Sequence, residues 1–215
     1  MSRAEILQRV IEAGLIPVIR GRDPEVVLEI VDTLITGGVR TVEITFTVPR
    51  GDKLIATLRE RYPHIPIGAG TLLNEEDARR AVAAGAQYLV SPGVVEAVAR
   101  VGEDAGLPFF LGAMTPTEIA RALALGSDMV KLFPGSVLGP GYLKAVRAVF
   151  PGARWCPTGG IDGTNLATWL DAGATVVGIG SPLLRDVERT RDYAALLGRT
   201  REWVALFDQS RRSRG

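Results

Sequence analysis

One lysine and one glutamate stand out in this chain for the direction in which an alternating strand would send them. Across residues 41–46, period-two alternation puts Val42, Ile44 and Phe46 on one face and Glu43 and Thr45 on the other. Across residues 128–133, Lys131 opposes Val130 and Leu132 in the same way. If the apolar faces pack on helices, a carboxylate and an ammonium both point into a largely apolar interior. Each then costs several kcal/mol unless it is paired or solvated by a pocket.

A lysine held in such surroundings loses proton affinity, because burial disfavours its charged form, and a neutral amine can attack a ketone to give an iminium. The iminium is an electron sink. A carboxylate acting through a water could then move protons at the adjacent carbon and at an aldol hydroxyl while a carbon–carbon bond breaks. The plain alternative is a structural ion pair. No metal or cofactor is expected, since one histidine and one cysteine cannot supply the usual zinc or non-haem iron ligand sets. His64 sits in a Tyr-Pro-His-Ile-Pro turn entering a strand, which suits a surface or capping role, and Cys156 suits packing.

The elements that would position these groups recur along the chain. Short apolar, β-branched runs occur at residues 15–20, 41–46, 65–71, 87–91, 107–112, 128–133, 154–158 and 175–180. Between them lie segments of helical spacing, such as the stripe Val26, Val27, Ile30, Val31 and Leu34. Asp23-Pro24 and Thr115-Pro116-Thr117-Glu118 read as helix starts, the second with a capping-box acid. Gly37-Gly38, Gly85, Gly126 and Gly173 stand where a left-handed residue would end a helix before the next strand. Eight βα units at this spacing close most naturally into a (β/α)8 TIM barrel, a single domain over residues 1–215. An open doubly wound sheet is the alternative, but no glycine fingerprint follows the first run. Residues 2–13 predict an added N-terminal helix and residues 189–208 a closing one.

In a barrel the site lies at the C-terminal ends of the strands. The polar residues there are Arg20, Glu43, Thr45, Thr71, Ser91, Lys131, Thr158 and Ser181. Thr158-Gly159-Gly160 and Gly178-Ile179-Gly180-Ser181 follow the last two strands, where glycine-exposed N–H groups often hold a substrate phosphate; tight-turn glycines are the plainer reading.

Composition narrows the partners. The net charge is +1 over 215 residues, with neither a basic stripe nor aromatics among basic residues, which argues against nucleic acid. No signal peptide or membrane-length apolar run is evident, and a single cysteine fits a reducing cytoplasm. The basic run Arg211-Arg212-Ser213-Arg214 reads as a solvated terminus.

Val42-Glu43-Ile44-Thr45, Gly68-Ala69-Gly70-Thr71, Val90-Ser91-Pro92-Gly93, Lys131-Leu132-Phe133-Pro134 and Pro157-Thr158-Gly159-Gly160-Ile161 together resemble the 2-keto-3-deoxy-6-phosphogluconate (KDPG) / 4-hydroxy-2-oxoglutarate (KHG) aldolase family over residues 17–184. The resemblance implies a class I aldolase with a (β/α)8 fold, usually a homotrimer, acting on a phosphorylated 2-keto-3-deoxy sugar acid and releasing pyruvate. By motif match, Lys131 corresponds to the Schiff-base lysine and Glu43 to the general acid/base. Thr71 corresponds to the pyruvate-contacting threonine and Thr158 to one that influences stereochemistry. Pro92 and Phe133 match pocket-lining residues, and Gly159, Gly160, Gly180 and Ser181 match the phosphate site. Where many members carry an arginine four residues beyond the glutamate, this chain has Thr47. Arg20 is the candidate replacement as carboxylate ligand, with Arg50 as runner-up. Competing readings are the phosphogalactonate epimer or unphosphorylated KHG as substrate, and a non-catalytic phosphate-binding or structural oligomeric barrel.

Overall fold

A computed structural model describes residues 1–212. Eight parallel strands alternate with helices: β1 (Leu15–Ile19), β2 (Val42–Thr45), β3 (Ile67–Gly70), β4 (Tyr88–Val90), β5 (Phe109–Ala113), β6 (Met129–Leu132), β7 (Trp155–Pro157) and β8 (Val177–Ile179). Each falls inside the run that the sequence suggested or within a residue of it. The hydrogen-bonded order runs from β7 through β6 to β1 and then β8. Closure between β7 and β8 comes from a bridge between Thr158 and Gly178 and from the N–H groups of Thr175 and Val176, which donate to Trp155 O. The architecture is a TIM barrel.

Helices α1 (Arg3–Ala13), α2 (Pro24–Thr36), α3 (Gly51–Arg61), α4 (Glu75–Ala83), α5 (Glu96–Asp104), α6 (Pro116–Ala124), α7 (Gly135–Val149), α8 (Leu166–Asp171), α9 (Ser181–Leu184), α10 (Val187–Thr190) and α11 (Tyr193–Arg212) complete the described residues. The starts follow local chemistry. Asp23 accepts from the Glu25 N–H ahead of Pro24, and Thr115 and Glu118 form a reciprocal capping box. Gly38, Gly85, Gly126 and Gly173 all have positive φ, so the predicted left-handed stops are real, with Gly38 rather than Gly37 taking that role. α7 is interrupted at Gly139 (φ 71°), just before Pro140.

The closing helix differs from the expected 189–208. The chain first makes the short α10, then turns through Arg191 at φ 57°, and α11 starts afresh with Asp192 accepting from the Ala195 N–H at 2.9 Å. An Asp cap and a left-handed residue outweigh the continuous helical periodicity on which the expectation rested. α11 runs on through Arg212, and Arg211 donates to Glu12 O at 3.0 Å; Ser213 and Arg214 lie outside the described residues.

Two hydrophobic layers result. The larger lies between strands and helices and includes the whole α2 stripe of Val26, Val27, Ile30, Val31 and Leu34. The smaller fills the barrel: Ile16, Tyr88, Val90, Phe110, Met129, Cys156 and Val176, stoppered at the N-terminal end by Val10 of α1. Burying each large side chain of this kind contributes about 1.5–3 kcal/mol. α1 is held there by Arg3, which bonds Asp128 at 3.0–3.3 Å, pairs with Glu103 and lies over the Phe109 ring.

Candidate active site

At the opposite end of the barrel several inward positions are charged, hydroxylated or empty, among them Glu43, Thr45, Gly70, Gly112 and Lys131. Glu43 on β2 and Lys131 on β6 both turn inward as alternation requires, are 3% and 4% exposed, and meet with Nζ 3.4 Å from Oε1. The Phe133 ring lies 5.8 Å from the ammonium, adding a cation–π contact.

Room for Glu43 and for the residues around the pair comes from glycines on the strands. A Cβ at Gly70 would sit 1.9 Å from Glu43 Oε1, and one at Gly178 would sit 2.3 Å from Thr158 Oγ1. Lys131 is in register with Gly112 on one side and Cys156 on the other. A Cβ at Gly112 would meet the Pro92 carbonyl at 2.1 Å, so this glycine lets the Ser91-Pro92-Gly93 turn lean over the strand ends. Ser91 closes that turn, with Oγ donating to Gly93 O at 2.6 Å. Beneath Glu43, Tyr88 forms a floor. Its ring packs where Gly68 has no side chain, and its hydroxyl donates to Val42 O at 2.9 Å. Burial pushes the Tyr88 phenol well above its ordinary range, and likewise lifts the Cys156 thiol to about 11, so both stay neutral. Cys156 is thus the packing residue that the sequence suggested.

Above the pair opens a cavity of about 580 Å³, within the size range of small-molecule sites. Arg20, Thr71, Pro92, Lys131, Phe133, Thr158, Gly159, Gly160, Gly180 and Ser181 all line it. Glu43 is not on its wall; it lies behind Lys131. Arg20 reaches across the mouth of β2, donating at 3.3 Å both to Thr47 Oγ1 and to Thr71 Oγ1. Thr71 itself stands at φ 58°, a costly conformation for a β-branched residue and one that aims its hydroxyl at Arg20. Arg50, the runner-up, sits at the start of α3 and does not line the cavity. Thr45 turns inward and donates to Ile19 O at 2.8 Å, stitching β2 to β1.

After β7, Gly159 and Gly160 both have positive φ. The loop is fixed by Gly135 N–H donating to Thr158 O at 2.7 Å and by the Asn165 amide donating to Gly160 O at 2.9 Å. Fixed glycines of this kind leave backbone N–H groups free to face an anion. His64 is exposed and remote, its carbonyl accepting from Arg9. No group of three His, Cys, Asp or Glu among the described residues is placed to hold a metal ion.

The family model described as KDPG and KHG aldolase matches residues 6–197. The chain belongs to that aldolase family. It is 36% identical to the 2-dehydro-3-deoxy-phosphogluconate aldolase of Pseudomonas aeruginosa over 94% of this chain and 92% of that protein. It is 37% identical to the 2-dehydro-3-deoxy-6-phosphogalactonate aldolase of Escherichia coli over 84% of this chain and 91% of that protein. Among solved structures, KDPG aldolase from Legionella pneumophila, with pyruvate captured as a covalent carbinolamine, superposes with a TM-score of 0.84 at 27% identity, covering 94% of this chain and 98% of that one. Stability alone does not favour a lysine and a carboxylate buried together as Lys131 and Glu43 are.

Several cavity residues carry no functional signal in the sequence. Arg185, between α9 and α10, and Glu188, within the four-residue α10, line the wall beyond β8, where irregular chain and a single helical turn carry no periodicity. Val18 does too, an inward apolar position on β1.

Proposed function

We propose that this chain reversibly cleaves 2-dehydro-3-deoxy-6-phosphogluconate to pyruvate and glyceraldehyde 3-phosphate, through a Schiff base on Lys131. The observation that carries the reading is Lys131 lining the cavity with the buried Glu43 carboxylate 3.4 Å from its Nζ. In its neutral form the amine adds to the C2 ketone and water leaves, giving an iminium. Glu43, through a water, takes the C4 hydroxyl proton. The C3–C4 bond then breaks, its electron pair moves into the iminium to leave an enamine, and the aldehyde departs. Protonation of the enamine at C3 and addition of water release pyruvate and the free lysine.

In this reading Arg20 and Thr71 hold the carboxylate end of the substrate, Pro92 and Phe133 flank its carbon chain, and Thr158 meets the C4 hydroxyl. The N–H groups of Gly159, Gly160 and Gly180, with Ser181, hold the phosphate. The phosphogalactonate epimer is a second reading, because relatives named for each epimer are almost equally similar to this chain. The active assembly is a homotrimer in this proposal. Its support is the exposed apolar Leu73, Met114 and Val137, which follow β3, β5 and β6 on the face that carries the site. No helix among the described residues is long and apolar enough to cross a membrane, and the cytoplasmic assignment belongs to this proposal.

Borohydride reduction in the presence of pyruvate tests the mechanism. The expected result is a stable mass increment mapped to Lys131. An unmodified lysine, beside a control aldolase that is labelled, would refute it.

A further inference from the structure

Three cations line the cavity: Arg20, Lys131 and Arg185. The first two are engaged, Arg20 with the hydroxyls of Thr47 and Thr71 and Lys131 with Glu43. Arg185 has no acidic partner among the ion pairs of the described residues. Its backbone stands at φ 47° and ψ −126°, which residues with a Cβ seldom adopt.

The surroundings hold it there. Its N–H donates to Ser181 O at 2.7 Å, Leu183 and Leu184 before it and Val187 after it are buried, and Leu183 O accepts from Arg199 at 3.1 Å. Glu188 ties the next turn to the start of the β1–α2 connection, accepting from the Arg22 N–H at 2.5 Å and the Asp23 N–H at 3.4 Å. A strained, over-determined residue of this kind points to a function for its side chain. Arg185 lines the cavity together with Gly180 and Ser181, the residues given above to the phosphate. A phosphate monoester carries about −1.5 to −2 at neutral pH, and backbone N–H groups with one hydroxyl supply no formal charge to meet it.

We infer that Arg185 is a phosphate ligand and sets the preference of this enzyme for phosphorylated over unphosphorylated 2-keto acids. The inference rests on the proposed function, and the two fail differently. Initial rates of the wild type, Arg185→Gln and Arg185→Lys would be measured on 2-dehydro-3-deoxy-6-phosphogluconate and on 4-hydroxy-2-oxoglutarate. Losing a charge-assisted hydrogen bond raises KM for the phosphorylated substrate about 10- to 100-fold in Arg185→Gln, with KM for the unphosphorylated one within about threefold. Arg185→Lys, which keeps the charge without the planar fork, recovers part of the loss. Equal losses on both substrates, or none on either, would overturn the assignment. A wild type inactive on both would instead sink the functional reading, before any variant is compared.

Discussion

The two ends of this barrel are built from the same alternation and filled in opposite ways. At the N-terminal end the inward positions carry Ile16, Met129 and Val176, and Val10 of α1 stoppers them with no exposed surface. At the C-terminal end β2 carries Glu43 and β6 carries Lys131, with Gly70, Gly112 and Gly178 on other strands in place of bulk. One end gains free energy by excluding water from apolar surface. The other gives up packing to hold a charge pair and a cavity, a cost that only chemistry at the pair accounts for.

The contrast is broken most severely at Lys131. Lys131→Met is expected to lower turnover by at least about 10³-fold, read from initial rates, and Glu43→Gln by about 10²- to 10⁴-fold. Each leaves one buried polar or charged group without its partner. The double variant Lys131→Met/Glu43→Gln is therefore expected to unfold at higher denaturant than Lys131→Met alone, while staying inactive. A double variant less stable than that single one would mean that Glu43 supports the fold through contacts other than Lys131. At the stoppered end the effect reverses in kind. Val10→Ala is expected to cost about 1–3 kcal/mol in urea unfolding with kcat unchanged, because it opens a void far from the cavity. A fall in kcat that tracked the lost stability would show that the two ends are coupled.

The smallest expected effect sharpens the comparison at the rim of the active end. Glu118 accepts from the N–H groups of Met114 and Thr115 at 2.9 and 2.8 Å, and these bonds, that of Met114 foremost, hold its carboxyl below the ordinary 4.5. A carboxyl lowered in the folded state stabilises the fold above its unfolded value, and the contribution is lost as pH falls through the folded value. Glu118→Gln is thus expected to cost at most about 1 kcal/mol at pH 7, the group being largely solvated. The gap to wild type should close below about pH 4. A gap that persisted at pH 3 would place the effect in packing rather than in charge.

Much of this was legible in the sequence because it is local. The eight strands, the caps at Asp23 and Thr115 and the left-handed stops at Gly85, Gly126 and Gly173 each depend on a few neighbouring residues. The closing helix was misread because a period of 3.6 does not register a single left-handed residue such as Arg191. Arg185, in irregular chain, and Glu188, in a helix of one turn, carry no periodic signal of the direction they face.

Alternation by itself determined that Glu43 and Lys131 point away from the helices, since the pleat turns successive side chains to opposite faces whatever lies around them. That the two, 88 residues apart, come within 3.4 Å was decided only by closure of the barrel. So was the reason for its inward glycines, because what a missing Cβ makes room for belongs to the neighbouring strand: Tyr88 over Gly68, Glu43 over Gly70 and Thr158 over Gly178. Direction is a property of one strand, whereas distance and free space are properties of eight strands packed together.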